Sequence, residues 1–571
     1  MENFEFKSVG IERKKTSNYV DVISNLESLL RPLLGKADPN LELLHIIETK
    51  NDEMGDISFN ISGYSKKIEI SDSIVAINNG LVEFVDQIEV VNGFVNIYLN
   101  KKRLACEIAN NFNIEDNLII KSGQKFDVEF GHLNLEKPQN IGHLRNLFSG
   151  IGESRVLKLA GAVVSTSVVV NDIGMKASRL YNAVYKNIDY YERIESLNDK
   201  DFFVALKNLY NEVNLSEESE FEAKKINEEI HFGLDEGSDL SVLKRKVARR
   251  SVGATVRLWK NLGIKCDNIL FQSEAQDDKS IKYNLLDDGR KKNIFVERED
   301  LLYANLAEIN LGQHVLIKND GTETYIIKDL ITIIKRIQAL DIDKLYICVG
   351  PSLFHHYEAV HFILEKVYPD LSGKLCIIKH QLCHIKKDTS TDLFSFIENT
   401  KEELDNLKVD ENISLNEIFK INLFYQSIIN DLSSHVNLDI SSFLQTSGDT
   451  GMYLLYTVKR FENIVKKIAP HEILEHKIKE QDLGHISKSE KKIMIKFLFL
   501  KNNLKKAVES SNPTIFYREF INISRLLNTY YVESPKFVNL DLSKPENTAR
   551  LKIFLKIVDV YKFLFNRLFN T

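Results

Sequence analysis

Residues 125–148 read KFDVEFGHLNLEKPQNIGHLRNLF. The first six alternate apolar and polar, the period of a strand. Leu144 onward runs as a helix, LRNLFSGIGESRVLKLA. Between them lies a polar loop with a proline and a Gly-His pair. A strand that passes through such a loop into a helix places backbone N–H groups and the positive end of a helix dipole where an anion can approach. Lys137, Asn140 and His143 add donors to the same turn, and Gly142 leaves room for a phosphate. An ordinary helix boundary is the competing reading of these few residues.

Further strand-like runs follow at VVSTSVVVND (163–172), DKLYICVGPS (343–352) and GKLCIIKHQL (373–382), with helical patterns between them. Strand–helix alternation predicts a doubly wound parallel sheet, with its ligand at the carboxyl ends of the strands. Residues 180–260 are charged and helical in pattern and read as an insertion. From about residue 410 the chain reads as helical almost throughout, with no convincing strand. Before the sheet, residues 18–35 read as an amphipathic helix and VVNGFVNIYLN (90–100) as a strand pair with a tight approach at Gly93. The expected fold class is therefore α/β. A Rossmann-like catalytic domain spans 120–400, an α+β domain spans 1–112, and an all-α helical-bundle domain spans 410–571.

The chain has 571 residues and a net charge of −6. Residues 456–571 hold 22 Lys and Arg against 12 Asp and Glu, a net of +10, which leaves −16 on the remainder. An acidic body with a basic end suits a protein that meets a polyanion through one region. The alternative is a lysine-rich solvated face. The five cysteines are scattered without a C-x-x-C pair, which points to reduced thiols and no metal site. No apolar run approaches the ~20 residues of a membrane span, and the first residues are charged, so a cytoplasmic protein is expected. No G-x-G-x-x-G follows a strand, which excludes a plain dinucleotide dehydrogenase.

NIGH (140–143) resembles the H-x-G-H signature of class I aminoacyl-tRNA synthetases, and its surroundings resemble the arginyl-tRNA synthetase family. VEFGHLNLEKPQNIGHLR is similar to that family's strand, S-P-N loop, Lys-Pro and signature turn. VVNDIG (169–174), LGIKCD…SE (262–274), DGTETYIIKD (320–329), YICVG…H (346–356), LQTSGDTGMYLLYTVKR (444–460), FYREFINISRLLNTYY (516–531) and ENTARL (546–551) resemble later family segments in the correct order. GDIS (55–58) and GFVNIYL (93–99) resemble its N-terminal, tRNA-contacting domain.

The resemblance implies an arginine–tRNA ligase. It would activate L-arginine with ATP, accompanied by Mg²⁺ without a dedicated protein metal site, and transfer it to the terminal adenosine of tRNA(Arg). Arginine presents five N–H donors in a fork, and carboxylates match them. Tyr325 and Asp329, four apart on a helix, share a face. The resemblance assigns Glu129, Asn134, Tyr325 and Asp329 to arginine. It assigns Lys137, Asn140, Gly142 and His143 to ATP, with Lys386 and Lys387 of HIKKDTSTD standing where many class I enzymes carry K-M-S-K-S. Tyr453, Tyr456 and Arg460, in the entry to the anticodon-binding region, are candidates for tRNA contact. A monomer is expected, with neither DNA nor a membrane as partner. The sequence departs from the family at Asn140 (the first signature His), Lys176 and Leu353 (each a Gln) and Leu455. These departures leave a second reading open, a paralogue that binds arginine or tRNA for regulation or passes activated arginine to another acceptor.

Overall fold

The computed structural model describes residues 21–24, 26–27, 46–49, 54–61, 84–213, 216–276, 278–385, 392–405, 414–443, 445, 447–468, 477–534, 537 and 540–569. Most of the helix expected at 18–35 lies outside them; residues 22–24 are helical. The chain divides into two compact units, one of residues 1–120, 457–505 and 519–566, the other of 121–456, 506–518 and 567–571.

The first unit holds a four-stranded antiparallel sheet of β1 (Ile47–Glu48), β2 (Ile57–Asn60), β3 (Val85–Val91) and β4 (Phe94–Leu99), in the order β1-β2-β4-β3, followed by helix α1 (Lys101–Asn111). The expected strand pair at 90–100 is the β3–β4 hairpin. Its turn residues Asn92 and Gly93 have φ of 53° and 82°, the conformation a two-residue hairpin loop needs. Helices from far along the chain pack into the same unit. Asn110 Nδ2 donates to the Ile478 carbonyl at 2.8 Å, and Phe112 stacks on Phe497 with centroids 5.7 Å apart. Lys491 pairs with Asp56 at 2.7 Å and Lys496 with Glu48 at 2.5 Å.

The second unit is built on a five-stranded parallel sheet. Its strands and their helices run β5 (Lys125–Asn134), α2 (Gly142–Leu159), β6 (Val163–Asn171), α3 (Met175–Lys186), α4 (Asp239–Asn261), β7 (Asn268–Phe271), α5 (Tyr325–Ala339), β11 (Lys344–Val349), α6 (Phe354–Val367) and β12 (Leu375–Lys379). A separate antiparallel sheet, β8 (Phe295–Arg298), β9 (Leu301–Leu306) and β10 (Gly312–Ile317), is inserted before α5. The parallel order is β12-β11-β5-β6-β7. The chain therefore leaves β5 in one direction and returns on its other side, and a crevice opens at the carboxyl end of β5. β5 is buried along nearly its whole length, as expected for a strand covered by helices on both faces.

Two features were not legible as elements. The β8–β9 turn is Glu299–Asp300, both at positive φ (50° and 59°), without the Asn-Gly or Asp-Gly that announces such a hairpin. The expectation of no strand beyond residue 410 is corrected by β14 (Val436–Leu438), which pairs in parallel with β13 (Cys383–Ile385). Three residues are too short to show a period.

Helix α2 sits close on the sheet. A Cβ on Gly150 would fall 2.4 Å from the Phe130 Cβ, so only glycine allows this approach. Arg145, fully buried, reaches helix α7 (Leu415–Ile428) and caps its carboxyl end, donating to the Ser427 carbonyl and, at 2.9 Å each, to the Asn430 and Asp431 carbonyls. About two turns further on, Glu153 is fully buried and neither of its carboxyl oxygens makes a hydrogen bond. Burial pushes its pKa up to about 8, with Lys344 opposing, so the side chain is a neutral acid through most of the physiological range. The folded state then holds a proton that the unfolded state has released, and stability falls as pH rises from about 4.5 to about 8. Glu153→Gln is expected to raise the melting temperature by several degrees at pH 8 and to leave it nearly unchanged at pH 4.5; melting curves across that range check it.

Candidate active site

The crevice is lined first by β5. Asp127 and Glu129, two apart, share one face of the strand. His132 would point to the opposite face in a regular strand, but the register with β6 slips between Glu129 and His132. This bulge, with Gly131 at φ +149°, turns His132 back to the Glu129 side. His132 Nε2 lies 3.0 Å from Glu129 Oε1 and 2.8 Å from the Tyr357 hydroxyl.

Beneath them lies Arg336 of α5, which the sequence reading missed. Its Nη2 donates to Asp127 Oδ2 at 2.7 Å and to the Ser167 hydroxyl at 2.5 Å, and its Nη1 donates to Glu129 Oε2. Ser167 and Ser165 in turn donate to Asp127, at 2.9 and 2.7 Å. All the charges are buried: Asp127, Glu129 and Arg336 are 0, 1 and 5% exposed. Burial alone would raise the Glu129 pKa, but the Arg336 and His132 cations hold it below the usual carboxylate range. Burial would likewise lower His132, yet Glu129 pushes it up to about 9.

Arg336 fixes where α5 lies, and α5 carries the next two residues of the site. Asp329 is 8% exposed; His356 Nε2 lies 2.6 Å from its Oδ2, and Gln272 Nε2 donates to Oδ1 at 3.1 Å. Each oxygen retains a second lone pair for another donor. Tyr325, the first residue of α5, is 47% exposed one turn away. At the end of β5, Asn134 accepts from Asn171 Nδ2 at 3.2 Å. The structure thus gathers Glu129 and Asp329 around the Arg336–His132–Tyr357 cluster, with Asn134 at the end of the same strand and Tyr325 at the head of the same helix.

The signature turn follows. Gly142 opens α2, whose amino end has no side-chain cap. Lys137 and Asn140 are exposed. His143 Nδ1 lies 3.1 Å from the Asn140 backbone nitrogen and 3.2 Å from the Asn140 carbonyl oxygen, which ties the ring to its own turn. Burial, with Lys137 nearby, lowers the His143 pKa, so the ring is neutral and a hydrogen-bond donor. Helix α4 pins the loop from behind. Trp259 Nε1 donates to Gln139 Oε1 at 2.6 Å and Ser251 Oγ to the Leu135 carbonyl at 3.0 Å. Lys386 and Lys387 lie outside the described residues. Arg460 is held by Asn528 at 3.0 Å and lies over the Tyr531 ring, 5.2 Å from its centroid; Tyr456 is 37% exposed, and the Tyr453 amide donates to Thr450 Oγ1 at 3.0 Å.

Residues 109–388 match the family described as tRNA synthetases class I (R), catalytic domain. The arginine–tRNA ligase of Treponema denticola is 24% identical over 90% of this chain and 92% of its own length, and that of Borrelia garinii is 24% identical over 96% of each. Over residues 109–388 the chain belongs to the arginyl-tRNA synthetase family. The family's fold is seen again in the arginyl-tRNA synthetase of Thermus thermophilus (TM-score 0.76, 16% identity, 96% of this chain and 98% of that one). The Plasmodium falciparum arginyl-tRNA synthetase gives a TM-score of 0.74 over the same shares, also at 16% identity.

Arg336 was missed because a basic residue seven places after Asp329 looks like any other on an amphipathic helix. His132 was missed because a bulge leaves no local sequence period. Removing Arg336 would strand two buried carboxylates. Arg336→Met is therefore expected to cost about 3–5 kcal/mol of stability, read as a fall in the urea midpoint, with Arg336→Lys between it and the native protein.

Proposed function

We infer that the chain is an arginine–tRNA ligase that couples cleavage of ATP to AMP and pyrophosphate to the esterification of tRNA with L-arginine. Within the site, the observation that supports this reading best is Asp329: a nearly buried carboxylate oriented by His356 and Gln272, one helical turn from an exposed tyrosine. A planar, permanently charged guanidinium is the side-chain group that such a carboxylate matches by a two-point bond, while Tyr325 packs on the stem. Asn134 and Glu129 take the α-ammonium group. The arginine carboxylate is thereby directed toward the mouth of the signature turn.

At that turn, the uncapped amino end of α2, Lys137, Asn140 and His143 donate to the phosphates of ATP. Asn140 donates a hydrogen bond as the family's histidine does but carries no proton of its own to transfer. Mg²⁺, for which no dedicated protein site is proposed, would accompany ATP and neutralise part of its phosphate charge. An arginine carboxylate oxygen attacks the α-phosphorus, the bond to the bridging oxygen breaks, and pyrophosphate leaves. A hydroxyl of the terminal ribose then attacks the carbonyl carbon of the adenylate and AMP leaves. The protein's share is positioning and charge stabilisation. The basic C-terminal helices meet the anticodon end of the tRNA, and the protein acts as a cytoplasmic monomer.

Purified protein with ATP, arginine and tRNA is expected to form arginyl-tRNA; failure to charge any tRNA overturns the reading. Asp329→Asn is expected to raise KM for arginine about 100-fold or more and to leave KM for ATP within about twofold. Steady-state kinetics of both substrates at saturating tRNA distinguish that outcome from a general loss of structure.

A further inference from the structure

Helix α3 begins behind Gly174, φ +98°, with no side-chain cap and no acidic residue in its first turn. Its second residue, Lys176, is an exposed cation. Against Gly174 lies the ammonium of Lys328: a Cβ on the glycine would sit 3.1 Å from its Nζ. Lys328 is 5% exposed. Among the described residues its ammonium makes no hydrogen bond or ion pair, and its recorded contact is the Tyr325 ring, 5.7 Å to the centroid.

The carboxylates nearby are already engaged. Asp172 is held by Lys244 at 2.9 Å and by the Ser273 amide at 2.9 Å. Glu323 is paired with His231 and Lys282, and Asp329 with His356 and Gln272. A buried ammonium facing the positive end of a helix, whose neighbouring carboxylates all bond to other partners, is only partly compensated. An anion seated there would meet free backbone N–H groups and the ammonium together.

We propose that the amino end of α3 and the Lys328 ammonium form an anion subsite that takes a phosphodiester close to the 3′ end of the tRNA. The phosphates of ATP are assigned to the turn after β5. The α3 end follows β6, on the side of β5 away from β11, where the helical segment running to residue 261 begins. The other polyanionic substrate is the tRNA, whose terminal ribose must reach an arginyl group bound at Asp329, the residue next to Lys328. The subsite rests on the ligase reading.

The test is Lys328→Met in the full-length protein, with Lys328→Arg beside it. Lys328→Met is expected to raise KM for tRNA at least about fivefold and to reduce the salt slope of tRNA binding by about one. KM for arginine and ATP, at saturating tRNA, stays within twofold. Its melting temperature is expected to hold or rise, since an unpaired buried charge is gone; a merely structural lysine would lower it. Lys328→Arg keeps KM for tRNA near the native value. Native protein is expected to bind intact tRNA more tightly than tRNA stripped of its terminal CCA, and Lys328→Met to lose most of that difference. Inorganic phosphate is the control for a free anion: weakening of phosphate inhibition in Lys328→Met with KM for tRNA unchanged overturns the proposal. A rise confined to KM for arginine or ATP, or no change at all, overturns it too, while native protein that charges no tRNA removes both the subsite and the ligase reading.

Discussion

One buried guanidinium ties the catalytic unit together. Arg336 leaves α5 and ends between Asp127, Glu129 and Ser167, on β5 and β6. α5 carries Tyr325 and Asp329; β5 carries Glu129 and Asn134. Two strands and a helix thus keep fixed spacing because an ion pair with almost no exposure to water tolerates little displacement. Burying three charges is costly, and an apolar replacement of equal volume is often as stable. What the cluster supplies is geometry: a positive group in the floor of the site that holds both carboxylates in place and keeps Glu129 below the usual carboxylate range.

The signature turn depends on a different kind of restraint. Its backbone is open because α2 starts without a side-chain cap, and a loop left open in this way needs support from behind. Trp259 and Ser251 of α4 supply it through Gln139 and the Leu135 carbonyl. On the next turns, Arg145 closes the end of α7 and Gly150 lets α2 rest against Phe130. The helix that presents the turn is therefore fixed on several sides.

Much of this was legible in the sequence, and the exceptions have physical causes. Four of the five parallel strands were visible, β6, β11 and β12 as apolar runs and β5 by its alternation, whereas β7, four residues long, was too short to show a period. Tyr325 and Asp329 were picked out by the resemblance of DGTETYIIKD to a family segment, and their helical spacing agrees with a shared face. His132 was not, since a bulge reverses side-chain direction without leaving a local signal, and Arg336 became informative only once its long-range partners were known. The β8–β9 hairpin was hidden by a Glu-Asp turn. Charge counting also had a limit. The net +10 of residues 456–571 is correct as a sum, yet Lys491, Lys496 and Lys501 are paired with Asp56, Glu48 and Asp21 from the other end of the chain. Pairings across more than 400 residues leave no trace in local composition.

The bond between Trp259 and Gln139 has an optical side. The chain contains a single tryptophan, and its indole N–H is bonded to the residue next to Asn140. Phe130 lies edge-on to the ring, at 5.5 Å between centroids. Emission excited at the red edge of the protein band therefore arises from one fluorophore lodged behind the turn after β5. Any rearrangement of that loop alters the polarity and hydrogen bonding of this indole, so the native protein carries its own unlabelled reporter of that turn.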